Sequence, residues 1–164
     1  MKFALIANPN HPQAVEKLEL LLELIGDAEL EEATAQLLGR KGKPLSELQS
    51  ELLVALGGDG TLLYALSQLD VPIFGINTGQ VGFLTETEFG DTLEADLERL
   101  KAGDYDVEKL QRLDVRINGL SVGQALNEAV IHTARVAKIQ KFRIKIDDQI
   151  ADEFRADGVI VATP

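Results

Sequence analysis

The residues best suited to chemistry in this sequence are Gly57-Gly58-Asp59-Gly60-Thr61, a glycine-rich run directly after the apolar stretch Leu52-Leu53-Val54-Ala55-Leu56. Glycines let a backbone come close to a phosphate, and the unpaired amides at the start of a helix attract an anion. Asp59 cannot favour a phosphate by charge. It can instead orient or deprotonate an attacking hydroxyl, or help to hold a magnesium ion, both of which serve phosphoryl transfer. The structural alternative is that Asp59 caps a helix starting near Thr61 and the glycines only make a tight turn. No Lys follows Gly60, so the run is not a Walker loop, and its spacing is not the triple glycine of dinucleotide folds.

The other polar candidates are sparse. His132 falls on a predicted strand and His11 in a loop, neither with a companion at metal-ligand spacing, so both read as structural or solvated. Arg40, Lys41 and Lys43 form a small basic cluster that either meets phosphates or is a solvated loop. There is no cysteine, which removes disulfides, thiolate zinc sites and cysteine nucleophiles together. The net charge of -11, from 16 Lys and Arg against 27 Asp and Glu, argues against nucleic acid as a partner. A substrate carrying several phosphates must then be met by backbone amides, a metal ion or a few basic side chains. The opening Met1-Lys2-Phe3-Ala4-Leu5-Ile6 is too short for a secretion signal and no apolar run approaches membrane-spanning length. The expected compartment is the cytoplasm, with no membrane partner.

The elements that must position these residues follow from periodicity. The 164 residues, 45% hydrophobic and 26% charged, suffice for one domain plus part of another. Residues 2–7 read as a buried strand. Val15, Leu18, Leu21, Leu22 and Ile25 recur at helical spacing, with Pro12 suited to the first turn and Gly26 to the end. A second helical stretch is predicted over 28–38, then a strand at 52–56, a helix over 61–69, a strand over 71–76 and an amphipathic helix over 89–102. Alternating strands and helices indicate a parallel sheet with flanking helices. After Gly103 the texture becomes β-rich: strands over 107–117 and 120–132 flank Asn118-Gly119, a strong hairpin signal. Phe142, Ile144 and Ile146 alternate before Asp147-Asp148-Gln149, and 159–161 is a further buried strand. The expected organisation is an α/β domain over 1–103 and the beginning of a β-rich domain over 104–164.

The Gly57–Thr61 loop after a buried strand resembles one shared by NAD kinases, diacylglycerol and sphingosine-type lipid kinases and, in related form, phosphofructokinases. Three further segments select the NAD kinase family. Gly75-Ile76-Asn77-Thr78-Gly79-Gln80-Val81-Gly82-Phe83-Leu84-Thr85 is similar to its second glycine-containing loop. Leu126-Asn127-Glu128-Ala129-Val130-Ile131-His132 looks like its Asn-Glu segment. Arg155-Ala156-Asp157-Gly158 through Thr163-Pro164 looks like the strand leading into its third glycine-rich segment.

The resemblance implies a Rossmann-like α/β domain followed by a β-sandwich-like domain, and transfer of phosphate from ATP to the 2'-hydroxyl of the adenosine ribose of NAD, giving NADP. It implies Asp59 as general base, with Gly58 and Gly60 as close contacts to NAD and Gly57, Gly58, Gly60 and Thr61 as the phosphate loop. It implies that Phe83 lines the NAD pocket, although core packing is an alternative. Asn127 and Glu128 would bind the adenosine part of NAD, or else form an edge-strand polar pair. Asp157 would reach the nicotinamide end of NAD bound to a neighbouring subunit, or else make a turn. Mg²⁺ or another divalent metal is the implied cofactor, with no side chain assigned as its ligand, and polyphosphate is a possible donor in place of ATP. A homodimer or homotetramer is implied. Rival functions are a lipid or sugar kinase sharing the first loop, and a nucleotide-binding unit without turnover. NAD kinases continue beyond the Thr-Pro into a Gly-Ser-Thr-rich segment that completes the NAD pocket, so a chain stopping at Pro164 is expected to be a fragment with little or no activity alone.

Overall fold

The computed structural model describes residues 1–79, 84–135 and 138–164, which form two compact units, Met1–Glu108 and Lys109–Pro164. In the first unit the order is β1 (Phe3–Ala7), α1 (Ala14–Ile25), β2 (Ala28–Leu30), α2 (Glu32–Leu37), a 3-10 turn (Leu45–Glu47), β3 (Leu52–Leu56), α3 (Asp59–Leu66), β4 (Ile73–Asn77), β5 (Thr87–Glu88) and α4 (Leu93–Ala102). All five strands are parallel, in the order β2-β1-β3-β4-β5. The chain runs outward from β1 to β2, then returns to place β3 on the other side of β1. The winding reverses between β1 and β3, the position where open α/β sheets bind ligands beyond their strand ends.

Both central strands are buried throughout, as continuous apolar runs in a sheet covered on both faces must be. Phe3, Leu5, Ala7, Leu52, Val54 and Leu56 pack with Leu18 and Leu21 of α1 and Leu97 and Leu100 of α4. The alternate residues Ala4, Ile6, Leu53 and Ala55 pack with Leu62 and Ala65 of α3. A leucine fully buried in such a layer contributes about 2 kcal/mol. Gly103, at φ 75, ends α4 in the left-handed conformation that glycine adopts without cost.

The helix predicted over 28–38 is a strand and a shorter helix. Ala28 and Leu30 pair with Phe3 and Leu5, and this edge pairing outweighs the helical preference of the Ala-Glu-Leu sequence. Glu31 then caps α2, accepting from the amides of Ala33 and Thr34 at 3.0 and 2.9 Å. The Thr34 hydroxyl accepts from the amide of Ala7 at 2.9 Å and donates to Glu31, so the end of β1 is tied to this turn. The helix expected over 89–102 begins at Leu93.

The second unit contains β6 (Leu113–Ile117), β7 (Leu120–Ala125), β8 (Glu128–His132), β9 (Gln140–Ile146), β10 (Gln149–Ala156) and β11 (Gly158–Ala162). They pair antiparallel as β6 with β7, β9 with β10 and β8 with β11. The expected α/β unit followed by a β-rich unit is the architecture observed. Asn118 at φ 52 and Gly119 at φ 83 give the β6–β7 hairpin the positive φ pair of a type I′ turn. The β9–β10 hairpin reaches the same conformation with Asp147 at φ 47 and Asp148 at φ 64. The strand predicted from residue 107 starts only at Leu113.

Candidate functional site

At the carboxyl edge of the parallel sheet, the segments after β1 (8–12), β3 (58–61) and β4 (77–79) surround a cleft of ≈ 930 Å³, which Glu31 also lines. Its position is a product of the winding, since β1 and β3 are neighbours whose connections leave in opposite directions.

The glycine-rich run divides into two parts with different physical roles. Gly57 donates its amide to the Ile76 carbonyl at 2.9 Å, and a Cβ there would lie 2.3 Å from Thr61 Oγ1. Packing therefore demands glycine at 57. Gly58 and Gly60 are different: among the described residues nothing lies within 4 Å of a Cβ built at either, and neither has a positive φ.

Gly58 is the N-cap of α3 and Asp59 its first residue. The helix thus begins two residues earlier than predicted, and Asp59 is no side-chain cap. A carboxylate in the first turn still interacts favourably with the helix dipole. Its Oδ1 accepts from the amide of Leu84 at 3.1 Å, which links the first glycine loop to the far end of the second.

The second loop leaves β4 through a fixed turn. Asn77, 7% exposed, accepts from the amide of Gly79 at 2.9 Å through Oδ1, and Gly79 has φ 134. The Thr78 carbonyl lies 3.0 Å from His11 Nε2 and accepts from Lys17 Nζ at 3.4 Å. The same Lys17 ammonium sits 5.0 Å from the centre of the Phe89 ring, a cation–π distance. Behind the loop, Glu86 accepts from the amide of Gly75 at 2.7 Å, and burial of its carboxyl raises its pKa above the usual carboxylate value.

The sequence-predicted residues fall into separate groups. Gly58, Asp59, Gly60 and Thr61 line the cleft of the first unit, while Phe83 lies outside the described residues. In the second unit Asn127 immediately precedes β8, its carbonyl accepting from the amide of Thr163 at 2.8 Å, and Glu128 pairs with Ala162. Asp157 immediately precedes β11 at the other end of the same pair, where Gly158 faces His132. Antiparallel geometry puts the two ends about 14 Å apart. Lys43 of the basic cluster pairs with Glu29, whose carboxyl is held below its usual pKa by that contact and by the Gln49 amide. Among the described residues no group of three His, Cys, Asp or Glu side chains is placed to hold a metal.

Sequence reasoning missed Asn77 as the turn-former and His11 as the partner of Thr78. The available signal was positional, because Asn77 ends β4 and His11 follows β1, strands whose carboxyl ends flank the glycine loop.

Comparison with known proteins agrees with this arrangement. The family model described as ATP-NAD kinase N-terminal domain matches residues 27–105, and that of the ATP-NAD kinase C-terminal domain matches residues 126–164. The NAD kinase of Thermoplasma acidophilum is 36% identical over 167 residues, covering 100% of this chain and 61% of its own. That of Methanocorpusculum labreanum is 45% identical over 141 residues, covering 84% of this chain and 51% of its own. The chain thus spans between about half and three-fifths of the relatives it matches. Among solved structures, yeast NADH kinase complexed with NADH superposes with a TM-score of 0.82 at 19% identity, covering 99% of this chain and 57% of its own. An NAD kinase from Archaeoglobus fulgidus in complex with ATP gives a TM-score of 0.72 at 29% identity, covering 99% and 60%. With both domain families matched in order along one chain, and the glycine loop and cleft where such a fold binds ligands, this protein belongs to the NAD kinase family.

Proposed function

We propose that this chain carries the phosphate-transfer centre of an ATP-dependent NAD kinase. The observation that carries the reading is the open space at Gly58 and Gly60. Glycine inside a helix costs up to about 1 kcal/mol relative to alanine, and Gly60 stands in the first turn of α3 with no positive φ and, among the described residues, no steric requirement. Glycine there serves something that approaches the backbone from outside. At a helix start in a cleft, that ligand is a phosphate.

In the proposed reaction the 2'-oxygen of the adenosine ribose of NAD attacks the terminal phosphorus of ATP. The bond from that phosphorus to the bridging oxygen breaks, ADP leaves, and the hydroxyl proton passes to Asp59 or through it to solvent. The Leu84 amide holds the Asp59 carboxylate in one orientation while it does so. A magnesium ion, when bound, would neutralise charge on the phosphates. Mg²⁺ is commonly bound by one or two carboxylates plus substrate phosphates, and Asp59 fits that donor set. Polyphosphate offers the same terminal group and is a second donor to test.

Asn127 and Glu128 are proposed to meet the adenosine part of NAD, their amide and carboxylate suiting a base edge and ribose hydroxyls. Phe83 is proposed to contact NAD. The distance of Asp157 from that pair along β8 and β11 supports its assignment to NAD held by a neighbouring subunit. A homodimer or homotetramer is proposed on the resemblance to the family alone. The cytoplasm, where ATP and NAD are available, is the proposed compartment. A second reading, for the chain alone, is nucleotide binding without turnover, since the cleft and the glycine loop lie within the first unit.

The test is NADP formation from ATP, NAD and Mg²⁺ by the parent and by Asp59→Asn. A loss of about 10²- to 10⁴-fold with an unchanged fold supports Asp59 as base. ATP binding with no turnover in the parent supports the second reading. Phosphorylation of a lipid or sugar with none of NAD defeats both.

A further inference from the structure

We propose that His11 is a positioning residue of this centre, a neutral imidazole crossbar that sets the wall of the cleft formed by Thr78 and Gly79; the inference rests on the function proposed above. The amide of Gln13 donates to His11 Nδ1 at 3.2 Å, so that nitrogen carries no proton. The ring hydrogen is then on Nε2, where it donates to the Thr78 carbonyl 3.0 Å away. The two hydrogen bonds specify one tautomer and leave both ring nitrogens occupied.

The crossbar spans an unusual gap. His11 follows β1 and Thr78 follows β4, and β3 lies between those strands. Those two strands lie two spacings apart, roughly 10 Å. The contact therefore ties together the segments that leave the sheet on either side of β3, the strand that delivers the glycine-rich run. His11, Thr78 and Asp59 all line the same cleft. Asp59 is also bonded to the amide of Leu84, farther along the loop that Thr78 begins. Fixing Thr78 against the β1 segment thus fixes where that loop leaves the sheet, and with it the wall facing a ligand on Gly58 and Gly60. The Lys17 ammonium shares the same carbonyl and reinforces the clamp from α1.

Two substitutions separate this role from a local one. In His11→Gln the side-chain amide nitrogen reaches about as far as Nε2 and keeps the donor to Thr78. In His11→Asn the shorter side chain can accept from Gln13 but cannot span to Thr78. A histidine that only organised its own turn would be replaced better by Asn than by Gln. The positioning role gives the reverse order. Expected are a kcat for NADP formation within about twofold of the parent for Gln and a fall of about tenfold or more for Asn, since misplacement by about 1 Å costs up to 10²-fold. Nitrogen NMR of the parent ring should show Nδ1 unprotonated and Nε2 protonated.

If the parent does not turn over NAD, ATP affinity followed through the Gly60 and Gly79 amide signals takes the place of kcat, and the same order is expected. A working or ATP-binding parent with Gln and Asn alike, with Asn the better of the two, or with the proton on Nδ1, overturns the role of His11 and leaves the function standing. A parent that neither turns over NAD nor binds ATP overturns both.

Discussion

Replacing Gly60 by alanine should make the protein more stable and worse at its task. Gly60 is the second residue of α3, its φ is not positive, and among the described residues no atom stands within 4 Å of the added methyl. The helical preference of alanine over glycine, with the reduced freedom of the unfolded chain, is worth about 0.5–1 kcal/mol. For a chain of this size that is a rise of about 1–4 °C in Tm without ligand. The methyl also occupies space beside the amides at the helix start, where a phosphate would come closest. ATP binding is expected to weaken by about tenfold, or roughly 1.4 kcal/mol. Thermal melts with and without an ATP titration read both effects, because a ligand raises Tm in proportion to the logarithm of its concentration over Kd. Gly57→Ala is the contrasting control: its methyl would collide with Thr61 Oγ1, so overpacking should cost about 1–3 kcal/mol. An alanine at 60 that binds ATP as tightly as glycine would refute the claim that the space is kept for a ligand.

Other positions give independent tests. Thr34→Val should cost about 1–3 kcal/mol in urea unfolding, because it removes the hydroxyl that accepts from the buried Ala7 amide; a loss below about 0.5 kcal/mol would show that amide to be otherwise satisfied. Glu86→Gln keeps an acceptor for Gly75 and removes a carboxylate whose pKa burial raises. The native state binds that proton more tightly than the unfolded chain, so its destabilising effect is absent below the ordinary glutamate pKa of about 4.3 and complete above the raised one. The advantage of Gln should therefore grow as pH rises from 4 to 7, and an advantage confined to pH 4 would reverse the reasoning. Asp148→Gly relieves a non-glycine residue at φ 64 in the β9–β10 turn and should add about 1 kcal/mol to stability by chemical denaturation; a destabilised variant would mean the aspartate holds the turn by contacts of its own.

The parts of the fold that were legible in the sequence are those specified locally. Leu18, Leu21 and Ile25 mark α1 by their spacing, and the unbroken run Leu52 to Leu56 marks a strand covered on both faces. Asn118-Gly119 announces its turn because it supplies the residues that positive φ favours. Asp147-Asp148 adopts the same turn without that signature. β2 was hidden because Ala28, Glu29 and Leu30 prefer helix when taken alone, and only pairing with β1 makes them a strand. The start of α3 was placed late for a related reason, since Gly58-Asp59-Gly60 is a poor helix former that the sheet edge nonetheless holds in place.

The same division runs through the candidate site. The glycine loop and its place at the end of a strand were readable from residue types and order. The His11–Thr78 contact was not, because it depends on which strands lie side by side. The separation of Asp157 from Asn127 and Glu128 likewise needs the register of β8 against β11.

The strand order also has a consequence for how the molecule is made. Phe3 pairs with Leu52, and Val54 with Phe74, so β1 waits for a partner far along the chain while β2, close in sequence, is available early. During synthesis the β1–α1–β2 piece can assemble first, and β3 must then slot in beside β1 on the side away from β2. Pairings of such long sequence separation close slowly. Until β3 arrives, the segment after β1 has no glycine loop beside it and the ≈ 930 Å³ cleft does not exist. Nucleotide capture by a growing chain would therefore wait until both β3 and β4 have docked, and a ligand present in the cell would favour chains that have completed those steps.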